Sequence, residues 1–319
     1  MNCLFVVNDP SELDPSQTTT MMLARMAARG HRVTVAGASD LSLDVDARIH
    51  AHVSHVDPSG ARTRRDELIL GAGDLVVVRT NPARGLSGPI YSSLLDLLAF
   101  ASLHHGVVVL NDADSLRRAT SKLYASRLPE HLRPRTIVTR DGAKIRRFVE
   151  DNPGKSILKP LVGTRGTDVF QVRGDEPNLN QIMEVLLRGG LAMAQEFVPE
   201  AVEGDTRVIV LDGAALTVDG HVAAVRRVPK STDFRSNVHV GAVPEPAEYT
   251  PKLRAVVEAA APLLAADGLA LCGLDIIGDK IIEINVFSAG GIGDASTFFG
   301  VDFIAPILDF FESAVANPT

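Results

Sequence analysis

Along residues 1 to about 110, apolar and polar positions switch between two periods. Leu4 to Val7 is a short apolar run closed by Asn8-Asp9-Pro10. Ser16 to Arg29 carries apolar residues at helical spacing and stops at Gly30. Arg32 to Ala36, Asp74 to Arg79 and Gly106 to Asn111 read as further strands. Strands alternating with helical stretches predict a βαβ layer built on a parallel sheet. The carboxyl ends of such strands face the crevice where ligands bind, which singles out Asp9, Arg79 and Asn111. Asp9-Pro10 and Asn81-Pro82 are also good turn sequences, so position alone does not make these residues functional.

Beyond residue 110 the pattern changes. Asp114 to Leu128 is helical, with Thr120-Ser121-Lys122-Leu123-Tyr124 inside it. Ser156-Ile157-Leu158-Lys159-Pro160 is a strand ending in a lysine. Gly163-Thr164-Arg165-Gly166 follows, then a strand from Asp168 to Val172. Two glycines let a loop bring backbone N–H groups against phosphate, although a plain hairpin needs them as much. Neither a Walker loop nor a G-x-G-x-x-G fingerprint is present. Ala192-Met193-Ala194-Gln195-Glu196-Phe197-Val198-Pro199 is a strand broken by proline, whose exposed backbone suits a purine and equally suits a sheet edge. Gly204-Asp205-Thr206-Arg207 leads into Val208 to Leu211. Val225 to Asn237 gathers Arg226, Arg227, Lys230 and Arg235, a cluster fitted to carboxylate or phosphate or to a solvated basic loop. Thr250 to Ala266 is a helix with Thr250 as N-cap, Pro251 in its first turn and Gly268 beyond its end.

The final strand pair carries the most chemistry. In Ile282-Glu283-Ile284-Asn285-Val286 the period of two puts Glu283 and Asn285 on one face. An odd connection, for example Gly278 to Lys280, places Asp275 opposite Glu283. A two-residue Gly278-Asp279 turn sends them to opposite faces. Two carboxylates and an amide carbonyl fit Mg2+, which prefers oxygen and takes its remaining ligands from water and phosphate. The metal reading therefore predicts the odd loop.

Composition narrows the class. At 319 residues the chain has room for two or three domains, and no apolar run approaches the ~20 residues that cross a bilayer. Met1 to Val7 reads as an opening strand rather than a signal peptide. The only cysteines, Cys3 and Cys272, sit in apolar runs, which points to a reducing compartment, the cytoplasm by default. A net charge of −7, absence of Trp and lack of a basic tract argue against nucleic acid, while local cations still permit an anionic small substrate. His104-His105 reads as a helix end, since adjacent helical residues diverge by about 100°.

Taken in order, Lys122, the Ile157-Leu158-Lys159-Pro160-Leu161 strand before a glycine loop, Met193-Ala194-Gln195-Glu196-Phe197, Gly204-Asp205-Thr206-Arg207, Arg227-x-Pro229, Arg235-x-Asn237 and Leu274-Asp275-Ile276-Ile277-Gly278-Asp279 with Glu283-Ile284-Asn285 resemble an ATP-grasp ligase. The nearest likeness is the bacterial glutathione synthetase family, over nearly the whole chain. The resemblance implies an α/β plus α+β chain. A parallel-sheet N-terminal substrate domain spans residues 1–119, an ATP-grasp lid 120–199, and a central ATP-grasp subdomain with the metal site 200–319.

It also implies ATP held with two Mg2+ ions, Mn2+ being a substitute. Lys122, Lys159, Gly163 and Gly166 would meet phosphates, and Gln195, Glu196, Phe197 and Val198 adenine. Asp205 would lie near the ribose or hinge, and Asp275, Glu283 and Asn285 would hold the metals. Arg207 and Arg227 would face the transferred phosphoryl group or the acyl phosphate. Asp9, Arg79, Arg235, Asn237 and Ser288 would meet the substrates, a small-molecule carboxylate and an amine.

The implied reaction is carboxylate–amine ligation through an acyl phosphate, with γ-glutamylcysteine plus glycine as first expectation, in a chain that the family's habit makes a homo-oligomer. Three departures bear on the substrate: a loop less rich in glycine at 163–166, Val238-His239-Val240-Gly241 where the family tends to a glycine run, and Phe287-Ser288-Ala289-Gly290-Gly291-Ile292-Gly293 where it has Thr-Ser-Pro. A ligase for another amino acid or peptide, and a non-catalytic ATP-binding regulatory module, stand as the other readings. The full set of Lys159, Arg227, Asp275, Glu283 and Asn285 favours catalysis.

Overall fold

The structure is a computed structural model describing residues 1–152, 154–163, 167–229 and 241–317. Seven strands form the first sheet: β1 (Asn2–Val7), β2 (Arg32–Gly37), β3 (Leu41–Leu43), β4 (Ile49–Val56), β5 (Arg62–Ile69), β6 (Leu75–Val78) and β7 (Val108–Leu110). β2, β1, β6 and β7 lie parallel, as the alternating pattern predicts. β3, β4 and β5 add an antiparallel extension that periodicity misses. The reason is solvation, because β5 buries only Leu68 and so offers no apolar run to read.

Helix α1 (Thr18–Ala28) buries Met22, Leu23 and Met26. Helix α2 (Gly88–His105) starts where the Ser87 hydroxyl accepts the Ile90 N–H and ends at Gly106, in the left-handed conformation. His104 and His105 do fall at that helix end. The helical stretch expected from Asp114 to Leu128 is broken into α3 (Ala113–Arg118) and a 3-10 turn, Lys122–Arg127. There the Lys122 N–H bonds to the Leu161 carbonyl, not to one a turn back, and the Tyr124 hydroxyl donates to Asp267 at 2.6 Å.

A second, antiparallel sheet takes the order β10 (Phe170–Val172), β9 (Ser156–Pro160), β11 (Ala192–Glu196), β8 (Thr136–Thr139), covered by α4 (Gly142–Glu150) and α5 (Leu179–Arg188). It buries its own cluster, including Phe148, Leu158, Met183 and Leu186. The third sheet runs from β12 (Asp205–Leu211) with β13 (Ala214–Ala215), past the small β14 (Thr217–Val218) and β15 (His221–Val222) hairpin, to β16 (Ala224–Val228), β17 (Val243–Pro246), β18 (Leu271–Ile277) and β19 (Lys280–Asn285). Helix α6 (Pro251–Ala266) has the predicted Thr250 cap and packs behind this sheet. Helices α7 (Ile292–Phe299) and α8 (Ile304–Ala316) close the chain.

The first and third sheets share one core. Leu4, Val76 and Leu98 join Val208, Leu274, Ile281, Val257 and Leu264 in a single cluster. Asn111, expected at the ligand crevice, is instead the polar bolt between these sheets. Its amide donates to the Leu271 and Val286 carbonyls at 2.9 and 2.8 Å, and its oxygen accepts the Leu271 N–H at 2.8 Å. With Asn111 only 4% exposed, Asn111→Ala leaves three backbone groups without their partner. Urea denaturation should show a loss of ~3 kcal/mol, and a loss under ~1 kcal/mol would mean that water replaces the amide.

Candidate functional site

The turn joining β18 to β19 is Gly278-Asp279, two residues long, with Gly278 at φ +61°. The odd connection expected from the sequence is therefore absent. Unbroken pairing from this turn would set Asp275 against Ile282. A bulge between Asp275 and Ile276 shifts the register by one, so that Asp275 faces Glu283 and Gly273 faces Asn285. Asp275 and Glu283 thus face each other as expected, through a bulge rather than an odd loop.

Asp275 is 2% exposed and lies between two guanidiniums. Arg207, opposite it on β12, donates through Nε and Nη2 at 2.7 Å each. Arg227, on β16, reaches the same carboxylate at 2.9 Å and also grips Asp205 with Nε and Nη2 at 2.6 and 2.5 Å. Burial alone would raise the Asp275 pKa, but Arg207 and Arg227 override it and hold the carboxyl below the usual range. Burial would likewise lower Arg227, yet Asp275 and Asp205 keep it firmly charged.

Asp205 pairs with Arg227 in register across β12 and β16. The structure thus places Asp205 beside the buried arginine, with both carboxylate oxygens on it. Gly204 permits the approach: at φ +102° it has no side chain, and a Cβ there would lie 2.2 Å from the Arg227 carbonyl oxygen.

Two lysines complete the cluster. Lys122 Nζ donates to the Gly163 carbonyl at 2.7 Å and lies 3.5 Å from Glu283. Lys159, on β9, donates to Gln195 Oε1 at 3.1 Å, and Gln195 in turn donates to the Thr136 hydroxyl. Burial pushes the Lys159 ammonium down to about 8. Glu283 and Asp275 partly oppose this, while Lys122 adds to it. Thr136 went unnoticed in the sequence, because nothing in its own neighbourhood points to a partner 59 residues away.

The Asn285 amide lies 3.1 Å from Asp275 Oδ2. Among the described residues no three His, Cys, Asp or Glu side chains gather to hold a metal. A cation held by Asp275 and Glu283 would therefore take its third protein ligand from Asn285, with the amide turned to present oxygen. That all-oxygen set fits a hard divalent ion. Four cations, Lys122, Lys159, Arg207 and Arg227, face three carboxylates, Asp205, Asp275 and Glu283, an excess of one positive charge suited to a polyanion.

At the end of β11, the Glu196 carboxylate accepts the Arg135 N–H at 2.9 Å, and the Phe197 N–H bonds to the Lys155 carbonyl at 3.0 Å. Lys155 Nζ sits 5.2 Å from the centre of the Phe197 ring. Val198 caps the following 3-10 turn, and its N–H has no protein acceptor among the described residues.

Asp9, Arg79 and Ser288 line one cleft of about 270 Å³, together with Glu12 and Arg84, which the sequence reading did not select. Gly166, Arg235 and Asn237 lie outside the described residues.

Profiles of two protein-domain families match the chain. The N-terminal domain of prokaryotic glutathione synthetase matches residues 1–117, and its ATP-grasp domain residues 121–300. Glutathione synthetase of Coxiella burnetii is 32% identical over 310 residues, covering 95% of this chain and 93% of that protein. The Vibrio parahaemolyticus glutathione synthetase is 32% identical over 322 residues, covering 98% of both. Among solved structures, the ATP-grasp ligase PsnB complexed with a phosphomimetic variant of its minimal precursor, Mg and ADP superposes with a TM-score of 0.62 at 21% identity, over 98% of each chain.

The Lys159 shift makes a stability prediction. An unfolded lysine keeps its proton to about pH 10.4, so between about pH 8 and that value the folded state binds fewer protons. Below pH 8 both states are charged and burying the ammonium opposes folding; as pH rises the folded state sheds the proton first and the penalty fades. The stability of the wild type relative to Lys159→Met should therefore climb across this window, by at most about 1.4 kcal/mol per pH unit. Paired denaturation curves giving a flat difference would refute the shift.

Proposed function

Because the chain belongs to the prokaryotic glutathione synthetase family and is an ATP-dependent ligase forming carbon–nitrogen bonds, we propose that it joins γ-glutamylcysteine to glycine through an acyl phosphate. The observation that carries this reading is the convergence of Arg207 and Arg227 on Asp275, with Lys122 and Lys159 at its border. A carboxylate and a terminal phosphate repel each other, and their reaction needs cations on both sides. This cluster offers them in a buried setting, where their field is screened little.

In the proposed arrangement Val198 offers its N–H to adenine at the end of β11, with the neighbouring Gln195, Glu196 and Phe197 forming the seat. Lys159, steadied by Gln195, and Lys122 contact phosphates beside Gly163. Asp275, Glu283 and Asn285 are the residues to hold Mg2+, with two ions as the proposed number. An ion held by these residues would supply charge that neutralises phosphate oxygens. The PsnB ligase, which shares the fold, is described with Mg and ADP.

Arg227 then aligns the donor carboxylate and the transferred group, and Arg207 balances the charge that develops. The acyl phosphate is open to attack by the neutral amine of glycine and equally by water. The second sheet, with a core of its own, belongs to the proposed lid of residues 120–199, which is suited to close over the site and exclude water. Residues 1–119 and 200–319 form the proposed base beneath it. Within that base Asp9, Arg79 and Ser288 supply substrate contacts, and Arg235 and Asn237 are proposed to add carboxylate contacts.

Phosphate release with Mg-ATP across a panel of amino acids and short peptides, including γ-glutamylcysteine with glycine, tests the substrate pair. Release that depends on a different pair would replace it, and binding of ATP without amine-dependent release would favour a regulatory module. Arg227→Ala should lower ligation roughly 10²–10³-fold while ATP still binds, as for loss of one transition-state donor. Near-normal turnover in that variant would remove Arg227 from the proposed role.

A further inference from the structure

Of the four cations in the cluster, Lys159, Arg207 and Arg227 stand on strands, whereas Lys122 opens the 3-10 turn Lys122–Arg127. A strand is held by its ladder; a single 3-10 turn has poorer hydrogen-bond geometry and needs support from outside. No side chain caps this one at Ser121. What fixes it lies two residues beyond the lysine. Tyr124 is 4% exposed and, with Leu128 and Leu132, packs into the core that the first and third sheets share. Its hydroxyl donates to Asp267 Oδ2 at 2.6 Å, a short bond to a charged acceptor. Burial and that acceptor both push the pKa of the phenol up, so it stays the donor.

Asp267 gathers ties from both sides of Lys122 in the chain. Arg127 Nη1 lies 3.3 Å from its carboxylate, and Arg118 Nη2, at the end of α3, lies 3.8 Å from it. Both arginine side chains are 46% exposed, so these ion pairs add little and the tyrosine carries the tether. Asp267 is itself fixed. It ends α6, where its N–H bonds to the Leu263 carbonyl at 3.1 Å, and the Gly268 carbonyl beside it accepts the Asp112 N–H at 3.3 Å. From there the chain runs into β18, which carries Asp275. The Tyr124–Asp267 bond thus joins the turn that holds Lys122 to the segment that leads to the Asp275 strand.

Packing against β19 does not replace this tether. Lys122 and Tyr124 on one side, and Glu283 and Asn285 on the other, line a cavity of about 60 Å³, so turn and strand are not closely packed there. Lys122 Nζ reaches the Gly163 carbonyl at 2.7 Å and Glu283 at 3.5 Å. A turn released from Asp267 has space in which to shift, and the lysine shifts with it.

We propose that Tyr124, held by Asp267, is a positioning residue for nucleotide binding, its hydroxyl fixing the turn so that Lys122 meets the phosphates. The proposal rests on the reading of Lys122 as a phosphate ligand and adds the group that aims it. If Tyr124 served only to fill the core, losing its hydroxyl would lower stability and leave nucleotide affinity alone.

The test uses the full chain with Mg2+ and the non-hydrolysable ATP analogue AMPPNP, whose Kd is measured by calorimetry, alongside KM for ATP and kcat. Tyr124→Phe keeps the ring and removes the bond. It should weaken AMPPNP roughly tenfold and raise KM for ATP in parallel, as for loss of one hydrogen bond to a charged group, with kcat changed by less than about twofold. Lys122→Met should weaken AMPPNP at least as much. Added to Lys122→Met, Tyr124→Phe should change Kd by less than about twofold, because the lysine that it aims is gone. Asp267→Asn, which keeps an acceptor for the hydroxyl, should fall between the wild type and Asp267→Ala.

Unchanged AMPPNP affinity in a folded Tyr124→Phe, whatever its Tm, overturns the proposal. So does an equal loss in the Lys122→Met background, which would give the tyrosine a route of its own. Should Tyr124→Phe fail to fold, the Asp267 variants decide, and equal affinity in Asp267→Asn and Asp267→Ala overturns the proposal. If Lys122→Met binds AMPPNP as the wild type does, the phosphate role of Lys122 and this inference fall together, while amine-dependent phosphate release leaves the ligase reading standing.

Discussion

One buried carboxylate organises the active region. Asp275 receives Arg207 from the neighbouring strand and Arg227 from the strand beyond, and Arg227 is fixed from its other side by Asp205. Neither arginine would tolerate such burial unpaired, and Asp275 would not stay ionised without them. The four groups therefore define one another's positions. They hold two guanidiniums in a place that water reaches poorly, which suits the proposed role of meeting anionic reactants with little reorganisation.

The first and third sheets share a core while the second keeps its own. The quartet sits wholly on the third sheet, which is anchored against the first by apolar packing and by Asn111. Lys159 comes from the separate second sheet. Burial pushes its ammonium down to about 8, against the pull of Glu283 and Asp275. The two arginines thus come from the sheet packed against the first, and Lys159 from the sheet with its own core.

Much of this was legible in the residues. The parallel strands were visible because each is an apolar run, and α6 because Thr250, Pro251 and Gly268 mark its ends. The strands at residues 41–69 were not, since β5 is almost wholly solvated. Alternation showed that Glu283 and Asn285 share a face, whereas their alignment with Asp275 depended on a bulge that leaves the alternation from 282 to 286 unchanged. Asp205 and Arg227, 22 residues apart, became partners only through strand pairing, and Arg79 through the proximity of a loop 210 residues on. Local pattern identifies which groups are chemically able; the fold decides which of them meet.

The bulge at the last hairpin has a consequence for how this chain can change. A straight ladder from the same two-residue turn would satisfy more backbone hydrogen bonds and give a more regular, intrinsically firmer hairpin. It would also turn Glu283 and Asn285 away from Asp275. At constant length, a regular ladder and the facing of Asp275 and Glu283 therefore exclude each other. Loss of the extra residue Ile282 would straighten the ladder and still leave Glu283 opposite Asp275, so a regular hairpin and that facing pair are compatible only in a shorter β19.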